Sequence, residues 1–551
     1  MKIAYVFPRM GGGVQQYVNT LTSSLVEQFD HIEIHHIFAE YWDAAGPETF
    51  GHTSVFYHEM KLPASASLLY DASEDCIQTQ VEAEFVTLLD EIDPDIVHFQ
   101  HVAGLGASLI GLAKQKGMAT FWTLHDYWSI CPRFFLLKHD LSYCEGPNQG
   151  ASCFPCLHGT EQACAGAEQQ KYLERYRFIK SIMIEKTDQI ITVSDSVRDK
   201  LIAEGIPEAK IRTVYPGVRS FTPVPKPRKK DPTTITFGYL GQLSTHKGAH
   251  VLIDAFQQLP HPESHRLLLY GGIDRMYKET LMKLIAGRTN IDLKGAYQSN
   301  QLSDILAEMD VLVVPSVCPE TATLVTQEAL MSGTPVIGSN IGGIPEFIKE
   351  EYGALFEAGN SEALAKILTL ITENPAILQS WSNHIPALTY LQDMTSSMYA
   401  MYEEKSRQRR RKRPLHRGHF NILHPADRAY MRGMFFTRQV SEAAGFFRRH
   451  DYERIGIFGS GLAGRQAAEF WRQQGLTIPL LLDNNQAKWG TLCQEIPVVN
   501  PELLYEQQDA LDVVIIISEW ESSIMEQLKS MNLRIPILGF YSFAGEGGGV
   551  L

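Results

Sequence analysis

The chain has 551 residues, 44% of them hydrophobic and 20% charged, which is enough for about three globular domains with ordinary cores. Its formal net charge of -14 argues against nucleic acid as a partner. No apolar run reaches the ~18 residues that span a bilayer. The N-terminus MKIAYVFPRMGGG does not follow the pattern of a secretory signal, so we expect a cytoplasmic protein.

A glycine-rich turn follows the first predicted strand. Residues 2–7 are apolar enough for a short strand, and Gly12 and Gly13 lie between it and a predicted helix at residues 14–29. Glycines at such a position let the backbone approach a ligand closely, and the start of the helix adds free N–H donors. A tight turn without a ligand gives the same pattern, so both interpretations stay open.

Two later strands lead into histidines. Residues 95–101 form an apolar strand that contains His98 and ends at His101, and residues 119–124 are followed directly by His125. Polar side chains at the carboxyl ends of strands in an α/β sheet point into the crevice where ligands bind. We take His125 as a candidate ligand contact and favour a structural role for His98 and His101.

Five of the eight cysteines fall in an irregular region at residues 131–164. Four of them supply the ligand number and soft chemistry of a closed tetrahedral zinc site. They are Cys131, Cys144, Cys153 and Cys156. An iron–sulfur cluster uses the same ligands. The spacings of 13, 9 and 3 residues differ from those of a standard zinc finger, so free cysteines and disulfides also stay open. Any metal here would be structural, since no histidine or carboxylate is placed for Lewis-acid catalysis.

A second series of alternating strands and helices begins after a Pro-rich, basic connector at residues 223–232. The predicted strands lie at residues 235–241, 267–270 and 311–315, and a helix is predicted at residues 251–259. The alternation predicts a parallel sheet. The loop after the first of these strands carries Gln242 and Lys247.

The stretch from residue 319 to 346, PETATLVTQEALMSGTPVIGSNIGGIPE, predicts a loop, a helix, a buried strand and a second glycine loop. Free N–H groups and the positive end of the helix dipole suit a diphosphate. These N–H groups belong to Thr323, Leu324 and Val325. Glu320 lies just before this anion site and Glu328 inside the helix. Two such carboxylates would suit a nucleotide sugar, because they accept hydrogen bonds strongly from hydroxyls. A surface helix with two solvated glutamates is the alternative.

With its Glu320 to Glu328 spacing, followed by SGTPVIGSNIGGIPE, this stretch resembles the E-x7-E signature of retaining glycosyltransferases of the glycosyltransferase family 4, group 1 type. The resemblance covers about residues 1–400. It implies a GT-B fold, in which two Rossmann-like α/β domains face each other across a cleft. It also implies sugar transfer from a nucleoside-diphosphate sugar to a glycan, lipid-linked or other acceptor, as in cell-surface glycan biosynthesis.

The resemblance implies roles for the residues that meet the sugar and the ribose. Glu320 would orient the transferred sugar and Glu328 would hold the ribose. His125 stands in an HDYW stretch that is similar to the family's active-site histidine motif, so it would contact the sugar from the facing domain.

For the diphosphate, the resemblance implies stabilisation by Lys247 and by the N–H groups at the start of the helix. Gly12 and Gly13 would face it across the cleft. Gln242 occupies a position where the family commonly has arginine, so one cation of the pattern is lost here. The amide can still donate a hydrogen bond, but Lys247 and the helix N-terminus would carry more of the leaving-group stabilisation. This chemistry requires no metal.

The chain divides into four predicted parts. They are an N-terminal Rossmann-like domain at residues 1–215 with the Cys-rich insertion at 131–164, a donor-binding Rossmann-like domain at 216–400, a basic linker at 401–420, and a third Rossmann-like α/β domain at 421–551. A helix predicted at residues 381–404 would cross back to the first domain. Residues 405–413, KSRQRRRKR, hold seven basic residues in nine. Contact with anionic lipid at a peripheral membrane site and a solvated linker are both open.

The third domain carries a dinucleotide fingerprint. Gly459, Gly461 and Gly464 follow a predicted strand in the spacing G-x-G-x-x-G, and Asp483 ends the next strand about 20 residues further on. We do not expect NAD as the ligand, because no catalytic dyad or substrate subdomain follows. A docking or scaffolding role is favoured.

Two other functions stay open. One is a non-catalytic sugar-nucleotide-binding scaffold for a glycan pathway, which Gln242 and the appended domain motivate, although the retained Glu320 and Lys247 count against it. The other is a fusion with an NAD-binding oxidoreductase-like module, which depends on the Gly459 motif alone. The sequence does not identify the sugar, the nucleotide base, the acceptor or the oligomeric state.

Overall fold

The structure is a computed structural model that describes residues 1–9, 12–40, 52–61, 72, 75–158, 167–219, 221–224, 233–412, 443–517, 521–531 and 533–539. Cys164, Arg413 and most of the connector at residues 223–232 lie outside these ranges. The chain separates into two compact units, Met1–Ile422 and Leu423–Leu551. In the described part of the chain, no helix combines the length and the apolar character that a membrane crossing requires.

The first domain of the larger unit is built, in its described residues, on a sheet of seven parallel strands. The strands are β1 (Lys2–Arg9), β2 (Glu33–Glu40), β3 (Val55–Glu59), β4 (Ile96–Phe99), β5 (Ala119–Leu124), β6 (Gln189–Thr192) and β7 (Ile211–Thr213). The helices are α1 (Gly12–Gln28), α2 (Thr79–Ile92), α3 (Ser108–Gln115), α4 (Cys153–His158), α5 (Ala167–Ser181) and α6 (Asp195–Ala203).

The spatial order of this sheet is β3-β2-β1-β4-β5-β6-β7. The order reverses between β1 and β4, and ligands of open α/β sheets bind outside the carboxyl ends of the strands at such a reversal. Successive side chains of a strand point alternately into two hydrophobic cores, one on each face of the sheet. Ala4 and Val6 pack on one face of β1, and Ile3 and Tyr5 on the other. Burial on both faces explains why these strands are apolar throughout.

The second domain repeats this architecture within the same unit, with six described strands that all run parallel. The strands are β8 (Thr236–Leu240), β9 (Arg266–Tyr270), β10 (Ile291–Gly295), β11 (Val311–Val314), β12 (Val336–Ser339) and β13 (Gly353–Phe356). The helices are α7 (Ala249–Gln257), α8 (Lys278–Ile285), α9 (Leu302–Ala307), α10 (Leu324–Met331), α11 (Ile344–Phe347), α12 (Ser361–Glu373), α13 (Ala376–His384) and α14 (Tyr390–Lys412). The order β10-β9-β8-β11-β12-β13 reverses between β8 and β11, so the loops after these two strands meet at one edge. The expected pair of Rossmann-like domains is confirmed.

The helix predicted at residues 381–404 is two helices in the structure, α13 and α14. Pro386 lies between them and cannot continue a helix, because it has no N–H and its ring clashes with the preceding turn. α14 does return to the first domain, where Met394, Met398 and Tyr402 are fully buried in the core that contains Tyr5. The basic run at residues 405–413 is helical as far as Lys412.

The second unit contains a third sheet, with order β16-β17-β15-β14-β18-β19 in the described residues. Its strands are β14 (Ile455–Phe458), β15 (Leu481–Leu482), β16 (Leu492–Cys493), β17 (Ile496–Val499), β18 (Val513–Ile516) and β19 (Ile537–Gly539), and its helices are α15 (Leu462–Gln473), α16 (Leu504–Gln507) and α17 (Glu521–Ser530). All pairs are parallel except β16 with β17. The predicted Rossmann-like fold of this domain is confirmed.

Candidate active site

Glu320 and Lys247 meet at the edge where the loops after β8 and β11 come together. The Lys247 Nζ atom lies 2.7 Å from Oε1 and 2.9 Å from Oε2 of Glu320, and Ser316 Oγ donates to Oε1 over 2.7 Å. Burial alone would raise the pKa of the Glu320 carboxyl, but the charge of Lys247 and these hydrogen bonds outweigh it and hold that pKa below its ordinary value. Glu320 is therefore a buried carboxylate.

The second glycine loop closes tightly over Glu320. Gly343 donates its N–H to the Glu320 carbonyl over 2.6 Å. A Cβ atom at Gly342, where φ is +59°, would lie 2.4 Å from the same carbonyl oxygen. Only glycine fits a position that combines this φ with so close a backbone. The glycine pair therefore fixes the main chain that carries Glu320.

Glu328 lies in the second turn of α10 and is buried. Its Oε1 accepts a hydrogen bond of 2.7 Å from Nε2 of Gln16, which belongs to α1 in the facing domain. Burial raises the pKa of the Glu328 carboxyl, and the Gln16 bond lowers it by less. The pKa values of the two motif glutamates are thus shifted in opposite directions. Glu320 has a cation beside it, whereas Glu328 has only an amide.

The start of α10 lies beside Glu320. Thr323 occupies the N-cap position, but its hydroxyl bonds to Thr326 Oγ1 over 2.7 Å and does not cap the helix. Leu324 and Val325 form the first turn. First-turn N–H groups have no partner within their own helix, so this end of α10 offers donors and a positive dipole to an anion.

His125 follows β5 directly and faces these residues from the first domain. Its Nε2 atom lies 2.9 Å from Oε1 of Gln100, and its ring packs edge-on against Tyr17 with centroids 4.6 Å apart. Thr321, next to Glu320, donates its hydroxyl to the His125 carbonyl over 2.5 Å and so joins the two domains. Burial lowers the pKa of His125 to about 3, with a smaller contribution from His101. The imidazole is therefore neutral near pH 7.

The tautomer of His125 follows from a chain of hydrogen bonds. Nε2 of Gln100 lies 3.2 Å from Nδ1 of His98, so the amide oxygen of Gln100 is the group that faces His125. In this orientation of the amide, Nε2 of His125 carries the proton and Nδ1 keeps a lone pair, because an amide oxygen only accepts. His98 bonds to Tyr402 and Thr123, and His101 to Asp126, so each already has polar partners.

The remaining predicted donor-site residues lie at exposed positions. Gly12 and Gly13 form the first turn of α1, and nothing lies within 4 Å of where a Cβ would stand on either. Gln242 is also exposed, in the loop that leads to Lys247. These positions leave room for a ligand to approach the backbone.

Sequence reasoning missed three site residues. Gln16 lies one turn inside α1 after the glycine turn, and Gln100 follows β4, where the rule on strand ends that selected His125 also applies. The third is Glu346, whose carboxylate accepts the N–H groups of Asp195 and Ser196 over 2.8 and 2.7 Å. Glu346 ends the motif stretch, and it caps α6 of the facing domain.

The four predicted thiols are brought together elsewhere in the first domain. A cavity of about 20 Å³ is lined by Cys131, Cys144, Cys153 and Cys156. All four are free cysteines. Within the described ranges, no group of three or more His, Cys, Asp or Glu side chains lies, as placed, where it could hold a metal ion.

In the second unit, the predicted fingerprint forms the expected turn. A Cβ at Gly464 would lie 1.7 Å from the Gly459 carbonyl oxygen, so the glycine lets α15 pack against the turn, while Gly461 is the N-cap of that helix. Asp483 follows β15, and its carboxylate accepts hydrogen bonds from the Ser460 hydroxyl and, over 2.7 Å, from Lys488. These bonds hold the pKa of Asp483 below its ordinary value, although burial opposes them.

Two family models match the first unit. Residues 11–220 match the model described as Glycosyltransferase Family 4, and residues 221–386 match the model described as Glycosyl transferases group 1.

Curated relatives match over part of the chain. Sulfoquinovosyl transferase SQD2 of Arabidopsis thaliana is 30% identical over 224 residues, which is 36% of this chain and 42% of that protein. The putative colanic acid biosynthesis glycosyltransferase WcaL of Escherichia coli is 26% identical over 200 residues, 35% of this chain and 49% of that protein. The chain spans about half the length of the curated relatives it matches.

Solved structures share the fold of the first unit. HepE of Anabaena in complex with UDP aligns with a TM-score of 0.52 at 16% identity, over 73% of this chain and all of that one. Sucrose-phosphate synthase of Thermosynechococcus elongatus aligns with a TM-score of 0.52 at 19% identity, over 74% of this chain and 98% of that one.

Proposed function

The chain belongs to the glycosyltransferases that join a family 4 domain to a group 1 domain in a GT-B fold, and we propose that it is a retaining enzyme that transfers a sugar from a nucleoside-diphosphate sugar. The proposed acceptor is a growing glycan or a lipid-linked sugar of a cell-surface polysaccharide. Relatives named for colanic acid and amylovoran biosynthesis support this acceptor class.

One observation carries the proposal. The Glu320 carboxylate is buried against Lys247 at the start of α10, and the neighbouring Thr321 bonds to the main chain of His125 in the facing domain. A cation, a helix N-terminus, a carboxylate and a neutral imidazole therefore surround one cleft. This combination suits a ligand with an anionic diphosphate and a polyhydroxylated sugar.

In the proposed step, the acceptor hydroxyl oxygen bonds to the anomeric carbon on the face from which the nucleotide leaves. The bond from that carbon to the diphosphate oxygen breaks, and the hydroxyl proton passes to the leaving diphosphate. The products are a glycoside of retained configuration and a nucleoside diphosphate. The protein contributes position and electrostatic stabilisation, and it excludes competing water.

Lys247 and the first turn of α10 would stabilise the leaving group. An ammonium group has three donors, and the contacts to the two oxygens of Glu320 use two of them, which leaves one N–H for a phosphate oxygen. Glu320 would accept hydrogen bonds from sugar hydroxyls, and Glu328 from the ribose diol. The lone pair on Nδ1 of His125 would accept a hydrogen bond from a further sugar hydroxyl. The low pKa of His125 keeps this nitrogen unprotonated.

The first test is release of free nucleoside diphosphate from a panel of UDP-, GDP- and ADP-sugars. UDP-sugars come first, because HepE, which shares the fold, was crystallised with UDP and with UDP-glucose. Lys247→Ala is expected to slow release by about 100-fold or more, as for loss of one oxyanion-stabilising group. Glu320→Ala should also slow release, because the sugar loses the carboxylate that orients it. The matched controls are Glu279→Ala and Lys283→Ala, an exposed ion pair on α8, which should keep full activity.

Release from one donor that is lost in both site variants and kept in both controls would establish the enzyme and its nucleotide. Activity that survives Glu320→Ala would contradict the proposed site. Binding of a donor without any release would favour the sugar-nucleotide-binding scaffold, which the exposed Gln242 in place of a cation motivates. No release and no binding with any donor would contradict both functions.

A further inference from the structure

The cysteines that line the small cavity come from three separate segments of the first domain. Cys131 closes the turn that follows β5 and His125, Cys144 lies in the irregular segment after it, and Cys153 and Cys156 lie on α4. Residues three apart on a helix share one face, so the last two thiols reach the cavity from the same side. Segments up to 25 positions apart in sequence thus enclose one space.

The segment between these cysteines has little regular structure of its own. Its described residues contain a single bridge between Leu137 and Tyr143 and one short 3-10 turn, Asn148–Gly150. Its backbone also adopts left-handed conformations at non-glycine residues, which are costly and persist only where the surroundings impose them. They are Phe134, Leu136, Leu141, Asn148 and Gln149. Burial of Leu136 in the first-domain core supplies part of the constraint that holds this backbone, and a bound ion would add to it.

The chemistry of the cavity favours a soft cation. The lining contains four thiols and no carboxylate or imidazole, and the other lining groups are apolar except Arg133 and Ser152. Four thiolates around a divalent ion leave a negative charge, which the Arg133 guanidinium would partly offset. A volume of about 20 Å³ has room for one ion or one water.

We propose that Cys131, Cys144, Cys153 and Cys156 bind one Zn²⁺ in a closed tetrahedral site. With Zn–S bonds of about 2.3 Å, the sulfur atoms would lie about 3.8 Å apart. The thiols line the cavity without yet forming a ligand set. Binding would require rotation of the thiols about χ1 and movement of the irregular segment.

This zinc would fix a segment that reaches the candidate active site. Phe134 stacks on His101 with ring centroids 5.8 Å apart, and Phe135 stacks on His246 with centroids 4.3 Å apart and an angle of 19° between the planes. His246 precedes Lys247 in the loop after β8. The metal therefore anchors a contact between the first domain and the loop that carries the proposed diphosphate cation, without taking part in the reaction.

The test measures metal in the full-length protein purified under reducing conditions from zinc-supplemented medium. We expect elemental mass spectrometry to find about one equivalent of zinc per chain. The variant Cys153→Ser/Cys156→Ser should lose it, and Cys493→Ser, in β16 of the other unit, should keep it. Zinc content of the wild type is itself decisive, so the test does not depend on the double variant folding. Titration with a thiol-blocking mercurial in the presence of a zinc-sensitive dye should release the metal.

Folded wild-type protein without zinc would overturn the proposal. Iron with acid-labile sulfide and a visible absorption band would overturn it in favour of a cluster. A mass lower by about 2 Da for each cysteine pair, found after denaturation without reductant, would overturn it in favour of disulfides. Because metal content needs no sugar donor, failure here and failure of the proposed transferase activity are distinguishable.

Discussion

Gln16 and Glu328 form a direct hydrogen bond across the interdomain cleft, with 2.7 Å between Nε2 of the amide and Oε1 of the carboxylate. The bond joins the first helix of one domain to the motif helix of the other. It uses one oxygen of the carboxylate that is proposed to hold the ribose, and so orients the other. A carboxylate held in one rotamer loses less entropy when a ligand binds.

We expect Gln16→Ala to weaken donor binding by up to about tenfold, since ordering a free Glu328 side chain on binding would cost up to about 1.5 kcal/mol. Titration calorimetry with the nucleotide sugar found in the release assay would measure this. Gln15→Ala is the matched control, because Gln15 bonds to Asn19 within the same helix over 2.9 Å. Equal losses in the two variants would point to damage to α1 and against a role in orienting Glu328.

Donor affinity should fall as the pH is lowered. Burial raises the pKa of Glu328, so its carboxyl takes up a proton at a higher pH than a free glutamate does, and a protonated carboxyl accepts hydrogen bonds from the ribose less well. Gln16→Ala removes the bond that opposes this shift and should move the midpoint higher. A nucleotide sugar is the right probe, since its diphosphate does not titrate between pH 5 and 8. If the donor affinity of the wild type does not change with pH, as expected for Glu328→Gln, Glu328 does not hold the ribose as proposed.

Removing Lys247 should destabilise the first unit. Lys247→Ala leaves Glu320 buried without its cation, and we expect a cost of about 2 kcal/mol, at the low end for a buried pair because the lysine side chain is 32% exposed. Since the folded pKa of Glu320 is lowered, the stabilisation is full above the ordinary glutamate pKa of about 4.5 and is lost as the pH falls through the folded pKa. The difference between the unfolding temperatures of wild type and variant should therefore be full at pH 7 and shrink as the pH falls below about 4.5. Lys283→Ala should unfold at the same temperature as the wild type at each pH.

Local patterns predicted the parts of the fold that depend on local physics. β5 spans residues 119–124 as predicted, because a run of apolar residues bounded by a glycine turn and by polar side chains has few other solutions. The helix after Glu320 was also predicted, and it runs from Leu324 to Met331. By contrast, Pro386 divided a helix that periodicity alone made continuous.

Contacts between residues far apart in the chain could not be predicted from the sequence. Gln16 and Glu328 are 312 positions apart, and only the packing of two domains shows that they touch. Lys247 and Glu320 could be placed in one site through the family resemblance, but their ion pair and its effect on both pKa values required coordinates. The same holds for the four thiols, whose spacing gave a ligand number and whose shared cavity required the fold.

Gln100 provides the last prediction, because it connects His125 to a buried network. The amide accepts from His125 and donates to His98, which in turn bonds to Tyr402 on α14. Gln100 is thus a positioning residue that fixes the His125 tautomer with Nδ1 unprotonated. Gln100→Met keeps the buried volume and removes both bonds, so His125 can turn or change tautomer.

We expect Gln100→Met to lower kcat by about tenfold with little change in the KM for the donor, since one hydrogen bond of about 1.4 kcal/mol to the sugar would be misplaced. The decisive control is a double-mutant cycle with His125→Ala. If Gln100 acts through His125, then adding Gln100→Met to His125→Ala should cost no further activity, because the group that it positions is already absent. Full additivity of the two losses would mean that Gln100 serves the stability of the first domain and not the orientation of His125.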